Sequence, residues 1–154
     1  MNSNQQLISN FYTAFQNKDY KTMQAAYTDT ATFSDPVFEN LNAAEVRAMW
    51  EMLITKGKDL QLEFMNVEAD ESTGSAAWIA TYTFSASGNK VVNKIKAHFV
   101  FENGKIIQHK DSFDFYTWAK QALGIKGALF GWTSFMQNKV KQGARNSLVK
   151  FMRK

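Results

Sequence analysis

Cysteine is absent from the 154 residues, proline occurs once and histidine twice. Without cysteine there is no disulfide and no thiolate metal centre, which fits a reducing compartment, and a cytoplasmic location is expected. His98 and His109 are too few for a histidine-rich metal site, and no His-x-x-x-His spacing occurs. Neither a G-x-S-x-G nucleophile elbow nor a phosphate-cradling glycine loop is present, so no metal and no cofactor is expected. No apolar run reaches the ~18 residues needed to cross a bilayer. The opening MNSNQQLISNFY lacks the basic region and long apolar stretch of a secretory signal. What is present suits one globular domain with a real core: 45% apolar and 21% charged residues.

Acidic residues are also missing from one whole region. Residues 115–154 hold eight Lys and Arg but no Asp or Glu, while residues 1–114 carry a net −4, giving +4 overall. An acidic body thus precedes a basic C-terminal extension, which can attract anionic surfaces.

Periodicity orders the rest. Leu7, Ile8, Phe11, Tyr12 and Phe15 predict an amphipathic helix over 4–17. A second helix fits 19–27, with Asp19 as N-cap and Met23, Ala26 and Tyr27 inward. TATFSDPVF, 30–38, reads as an irregular strand broken at Pro36. Asn42 and Glu45 form a capping signal for a helix that Gly57 stops. From residue 59 the period becomes two, and four strands follow, separated by turns near 70–74, 87–89 and Asn103-Gly104. Glycine-punctuated helical material fills 115–154. The plan is α+β, with helices packed on one face of a curved meander of strands.

The last strand, within FENGKIIQHKDSFD, carries the candidate chemistry. Alternation places His109 and Asp111 on one face with Ile107 and Phe113, against Ile106, Gln108, Lys110, Ser112 and Asp114. Desolvation on an apolar face favours the neutral form of a carboxyl, which suits proton transfer near neutral pH, and a histidine beside it can share the proton. A salt-bridged strand end, with Lys110 as partner, is the plainer reading of the same pair. Asp35 precedes Pro36, so its backbone is extended and its carboxylate can be aimed inward; an ordinary Asp-Pro turn is the alternative. His98, beside Lys96, belongs to the opposite face and reads as a surface or interface residue. Asp114 reads as solvated.

FYTAFQNKDYKTM, DTATFSDPVF and HFVFENGKIIQHKDSFD, in this order and spacing, resemble the nuclear-transport-factor-2-like superfamily. More narrowly, they resemble its SnoaL-like polyketide cyclase and ketosteroid isomerase branch. The resemblance covers roughly residues 4–116 and implies a cone: a curved mixed or antiparallel sheet wrapped around N-terminal helices, enclosing an apolar pocket. It divides the chain into a SnoaL-like domain, 1–116, and a basic helical extension, 117–154, packed on or beside it. It implies a homodimer through the sheet. Asp111 matches the acid–base aspartate of the cyclases, although Lys110 replaces the usual aromatic before it, and Asp35 matches the general base of the isomerases. The oxyanion tyrosine and the protonated aspartate of the isomerases fall at Phe11 and Ala97, so steroid isomerisation is not expected. The Asp-Arg-Asp relay of the related epoxide hydrolases has no arginine here on a pocket strand.

Phe11, Tyr12, Phe15, Phe33, Trp50, Trp78, Tyr82, Phe84 and Phe99 are then expected both to form the core and to wall the pocket, suiting a flat apolar ligand. The expected function is cofactor-independent acid–base chemistry on a polyketide- or terpenoid-like substrate, with Asp111 assisted by His109 and Asp35. The alternative is a non-catalytic module that binds a ligand or a protein. For the basic tail, a packed helix with a solvated face and a membrane-surface contact compete; nucleic acid is not expected.

Overall fold

Two asparagines start the two long N-terminal helices. In the computed structural model, which describes Met1–Lys154, α1 (Ser3–Gln16) begins with a reciprocal box. Asn2 Oδ1 accepts from the Gln5 amide at 2.8 Å, and Gln5 Oε1 accepts from the Asn2 amide at 2.9 Å. Its stripe of Ile8, Phe11, Tyr12 and Phe15 is buried. Asp19 caps the short α2 (Tyr20–Ala25). The box is repeated by Asn42 and Glu45 for α3 (Ala43–Lys56), which Gly57 ends.

Two boundaries differ from those expected. The second helix ends at Ala25 rather than 27, because Tyr27 enters the first strand, β1 (Tyr27–Ser34). There it pairs with Ile106, and its carbonyl accepts from Arg47 at 2.8 Å. The strand stops at Ser34 instead of 38. Asp35 Oδ1 accepts the amides of Val37 and Phe38 at 2.7 and 2.6 Å, closing a turn that holds Pro36.

Four more strands follow: β2 (Gln61–Ala69), β3 (Thr73–Phe84), β4 (Asn89–Glu102) and β5 (Lys105–Ser112). The sheet order is β1-β5-β4-β3-β2, with β1 parallel to β5 and every other pair antiparallel. The β4–β5 turn uses Asn103 and Gly104 at φ 52° and 76°, as a two-residue hairpin requires. Past it the register slips: Phe101 faces Ile106 and Val100 faces Gln108, so Ile107 is an extra residue. The bulge corrects the simple alternation. Ile106, expected on the opposite face, is buried, and Ile107 is only half-buried. His109 opposite Phe99 and Asp111 opposite Ala97 remain inward.

β4 outruns β5, leaving the edge at Val92 unpaired. Gln121 on α4 (Phe115–Leu123) fills the gap, its amide accepting from Val92 N at 2.8 Å and donating to Val92 O at 3.0 Å. Asp114 is exposed but not idle: Oδ1 caps α4 through the amides of Tyr116 and Thr117. α5 (Ile125–Phe130) and α6 (Ser134–Met152) complete the chain.

The main core joins α1, α3 and the sheet, and it also takes in Leu148 of α6, with Ala144 and Phe151 packed against it. Each large side chain buried there contributes about 1.5–3 kcal/mol. Ion pairs of Lys141 with Glu39 and of Arg145 with Glu45 tie α6 to the β1–α3 region. Val91, Phe115, Trp118, Ala119 and Ala122 make a smaller second cluster. No helix is long and apolar enough to cross a membrane.

Candidate active site

Four buried side chains from three elements form one hydrogen-bonded line. Trp50 Nε1 of α3 donates to Tyr27 Oη of β1 at 2.9 Å; Tyr27 Oη lies 2.8 Å from His109 Nδ1 on β5; His109 Nε2 lies 2.8 Å from Asp111 Oδ1. Parallel pairing of β1 with β5 sets Tyr27 and Phe33 beside this strand.

The proton positions follow from counting. Tyr27 accepts from tryptophan, which can only donate, so its own hydrogen is free for a second partner. Burial raises the Tyr27 pKa well above its usual value, the Trp50 bond opposes this, and the charge of Asp111 adds to the rise, so the phenol keeps its proton. With that proton directed at Nδ1, the ring hydrogen on Nε2 is the one donated to Asp111. The line fixes one histidine tautomer and holds Oδ1 of Asp111, while Oδ2 makes no bond within the chain. The Asp111 side chain is 3% exposed. Lys110, the partner in the plainer reading, is exposed on the other face, as is His98.

Asp35 belongs to the same electrostatic neighbourhood. The residue is half-buried, and loss of solvation, the largest influence, raises its pKa from 3.8 to about 7. The amides of Phe38 and Val37 pull the other way, and the Asp111 charge raises it further. Both amides fall on Oδ1, leaving Oδ2 without a partner in the chain. A carboxyl with that pKa is shared between acid and base forms at neutral pH, which is the requirement for general acid–base work. Asp35 in turn raises the pKa of Tyr82, secondary to burial and against the hydrogen bond that Trp118 Nε1 donates to Tyr82 Oη at 2.7 Å.

The aromatics expected to wall a pocket pack on one another. Phe11 has the rings of Tyr12, Tyr27, Trp50, Phe99 and His109 between 5.1 and 6.4 Å away. Phe15 and Trp78 are 5.4 Å apart, and Phe33 and Trp50 5.8 Å. Wide rings alternate from facing elements and meet at the centre. Tyr82 and Phe84 instead lean on the second cluster, with Phe84 5.3 Å from Trp118. Two surface depressions of about 590 and 600 Å³ lie elsewhere and include neither Asp35 nor Asp111.

Sequence reading missed Tyr27 as a member of the line, because a tyrosine at a helix end gives no sign of entering a strand. For Tyr12 and Trp78, both expected in the core and pocket wall, the lack of a partner was not foreseen. Tyr12 Oη and Trp78 Nε1 are buried without a partner. Burial and then the Asp111 charge raise the Tyr12 pKa. Buried donors without a partner are costly.

A cone-like α+β domain with a carboxylate–imidazole line on its inner face is the class that fold and site define. The chain belongs to the SnoaL-like family: that domain's model matches residues 8–109. Solved structures share the fold at low identity. An NTF2-like protein of unknown function from Burkholderia pseudomallei is 20% identical, covering 74% of this chain and 92% of its own, with a TM-score of 0.65. An epoxide hydrolase of the LEH-like kind from M. tuberculosis is 18% identical, covering 82% and 92%, with a TM-score of 0.64. IdmH from Streptomyces antibioticus, described as a proposed polyketide cyclase, is 17% identical, covering 79% and 99%, with a TM-score of 0.65. No curated protein matches the chain. All three arginines are committed or distant: Arg47 donates to the Asp29 carboxylate and to the Gln24 and Tyr27 carbonyls, Arg145 pairs with Glu45, and Arg153 ends α6.

Proposed function

We propose that this chain is a cofactor-independent acid–base enzyme acting on an apolar, polyketide- or terpenoid-like carbonyl compound, by isomerisation or cyclisation. The observation that carries the reading is the pairing of two unlike carboxyls. One, Asp111, is held by His109 with an oxygen to spare; the other, Asp35, has its pKa raised to about 7, chiefly by burial.

Asp111 Oδ2 takes a proton from a carbon beside the carbonyl. The C–H electron pair becomes a C=C bond, and the carbonyl pair moves to oxygen. Protonated Asp35 supplies a proton to that oxygen or to a conjugated carbon. The proton taken by Asp111 returns through water to Asp35, so the substrate is isomerised and both carboxyls regain their starting states. Nothing is oxidised or reduced. His109 holds Oδ1 in place through Nε2, and Tyr27 with Trp50 keep the imidazole in the donating tautomer. Tyr12 Oη is a candidate donor to substrate oxygen.

Nitrobenzisoxazole, a small flat probe whose ring opens on proton abstraction from carbon, tests the base without knowledge of the substrate. The wild type should open it faster than acetate at equal concentration, and Asp111→Asn should lose about 10²–10⁴-fold of that excess. No acceleration, or an unchanged Asp111→Asn rate, contradicts the enzyme reading. The interlocked aromatic core favours a second reading, a module that binds an apolar ligand without turnover. Probe binding seen as a raised melting point, with no ring opening, selects it.

A further inference from the structure

Large apolar side chains point to solvent where the C-terminal segment turns. Ile125, Leu129, Phe130, Trp132 and Phe135 are 79, 59, 52, 69 and 76% exposed, five within eleven residues. Isolated exposed apolar residues are ordinary, but a run of this kind marks an interaction surface. Its placement is built in. α5 turns its small residues inward: a Cβ on Gly127 would lie 1.8 Å from Ala119 O, and one on Gly131 would lie 2.8 Å from Ala119 Cβ. Only glycine permits that approach to α4, and it leaves the bulky side chains of α5 on the outside. The turn is pinned by Tyr116 Oη donating to Ala128 O at 2.8 Å, by Trp132 Nε1 donating to Leu129 O at 3.0 Å, and by Thr133 capping α6. The inward side of α6 is already satisfied, with Leu148 buried and Ala144 and Phe151 packed on the main core, so Phe135 is not a displaced packing residue.

Charge names the partner. Lys120, Lys126 and Lys139 are exposed around this run, with Lys139 one turn after Phe135, and residues 115–154 contain no carboxylate side chain. Tryptophan and phenylalanine ringed by lysine suit the boundary between anionic head groups and acyl chains, where apolar burial and charge attraction add.

We propose that the Ile125–Phe135 elbow docks on an anionic lipid bilayer, with its aromatic and aliphatic side chains in the interface and Lys126 and Lys139 at the level of the phosphates. The surface is independent of the acid–base site and stands or falls separately from it.

Flotation of the full chain with vesicles tests this, using phosphatidylcholine alone and phosphatidylcholine mixed with phosphatidylserine, at low and physiological salt. Trp132 is the one exposed tryptophan beside the buried Trp50, Trp78 and Trp118, so its emission should shift to the blue on anionic vesicles, and Trp132→Phe should remove the shift. Binding should require phosphatidylserine and fall about fivefold for each of Lys126→Ala and Lys139→Ala. Trp132→Ser with Phe135→Ser should lower it about tenfold or more without changing the melting point, since binding scales with buried apolar area. No flotation at low salt, equal flotation with neutral vesicles, or unchanged binding by the variants overturns the proposal. So does light scattering that shows a lipid-free dimer split by the serine pair, which would assign the surface to a second copy of the chain.

Discussion

Asp35 is the residue at which fold and chemistry pull against each other. Its folded pKa of about 7 lies above the unfolded value of 3.8, so between these values the folded chain holds a proton that the unfolded chain has released. Stability therefore falls as pH rises from about 4 to 7 and stays lowered above that, by roughly 1–4 kcal/mol. Asn at this position can still accept the Val37 and Phe38 amides but carries no charge. Asp35→Asn is expected to raise the melting point at pH 8 and leave it nearly unchanged at pH 4, read by calorimetry; an Asp that served only its turn would be destabilised by the same change. Tyr27 gives the opposite case. Tyr27→Phe strands Trp50 Nε1 and His109 Nδ1 in the core and should cost about 1–3 kcal/mol for each group left unpaired, measured by urea unfolding. It also releases the histidine tautomer, so any proton-transfer rate should fall beyond what the stability loss explains.

Strands and turns carried most of what could be foreseen. The capping boxes at Asn2 and Asn42 and the Asn103-Gly104 turn are local codes, legible because each is satisfied within four residues. The inward pair His109 and Asp111 was legible from alternation for the same reason. What escaped depends on distant partners: the Ile107 bulge is set by pairing with β4, and the membership of Tyr27 in the site is set by a parallel partner some eighty residues away. Residue type shows that the rings of the expected pocket wall are buried, not whether each faces space or another ring. The turn itself is testable. Gly104 sits at φ 76° with open space around it, so Gly104→Val meets strain alone and should cost about 1–2 kcal/mol while keeping the β5 register. A larger loss, with altered amide exchange at His109, would mean the register had slipped.

Across the whole molecule, the basic extension is stitched to the acidic body instead of trailing from it. Leu148 is fully buried in the main core, and two ion pairs cross from α6 to Glu39 and Glu45. Exposed pairs of this kind contribute little, about 0–1 kcal/mol each, so burial holds the contact. Leu148→Ala should lower the stability of the single unfolding transition by about 2–5 kcal/mol. If the extension were an independent appendage, the main transition would not move.

Two carboxyls carry the proposed chemistry, and Asp35 holds a proton toward neutrality chiefly because burial strips its solvation, with the Asp111 charge adding to the rise. Carbon-13 NMR of the aspartate side-chain carboxyls, followed with pH in the wild type and in Asp111→Asn, measures this directly. The predicted result is an Asp35 midpoint of about 7 that moves down when the Asp111 charge is removed. A midpoint in the ordinary carboxylate range, or one indifferent to Asp111→Asn, would contradict it.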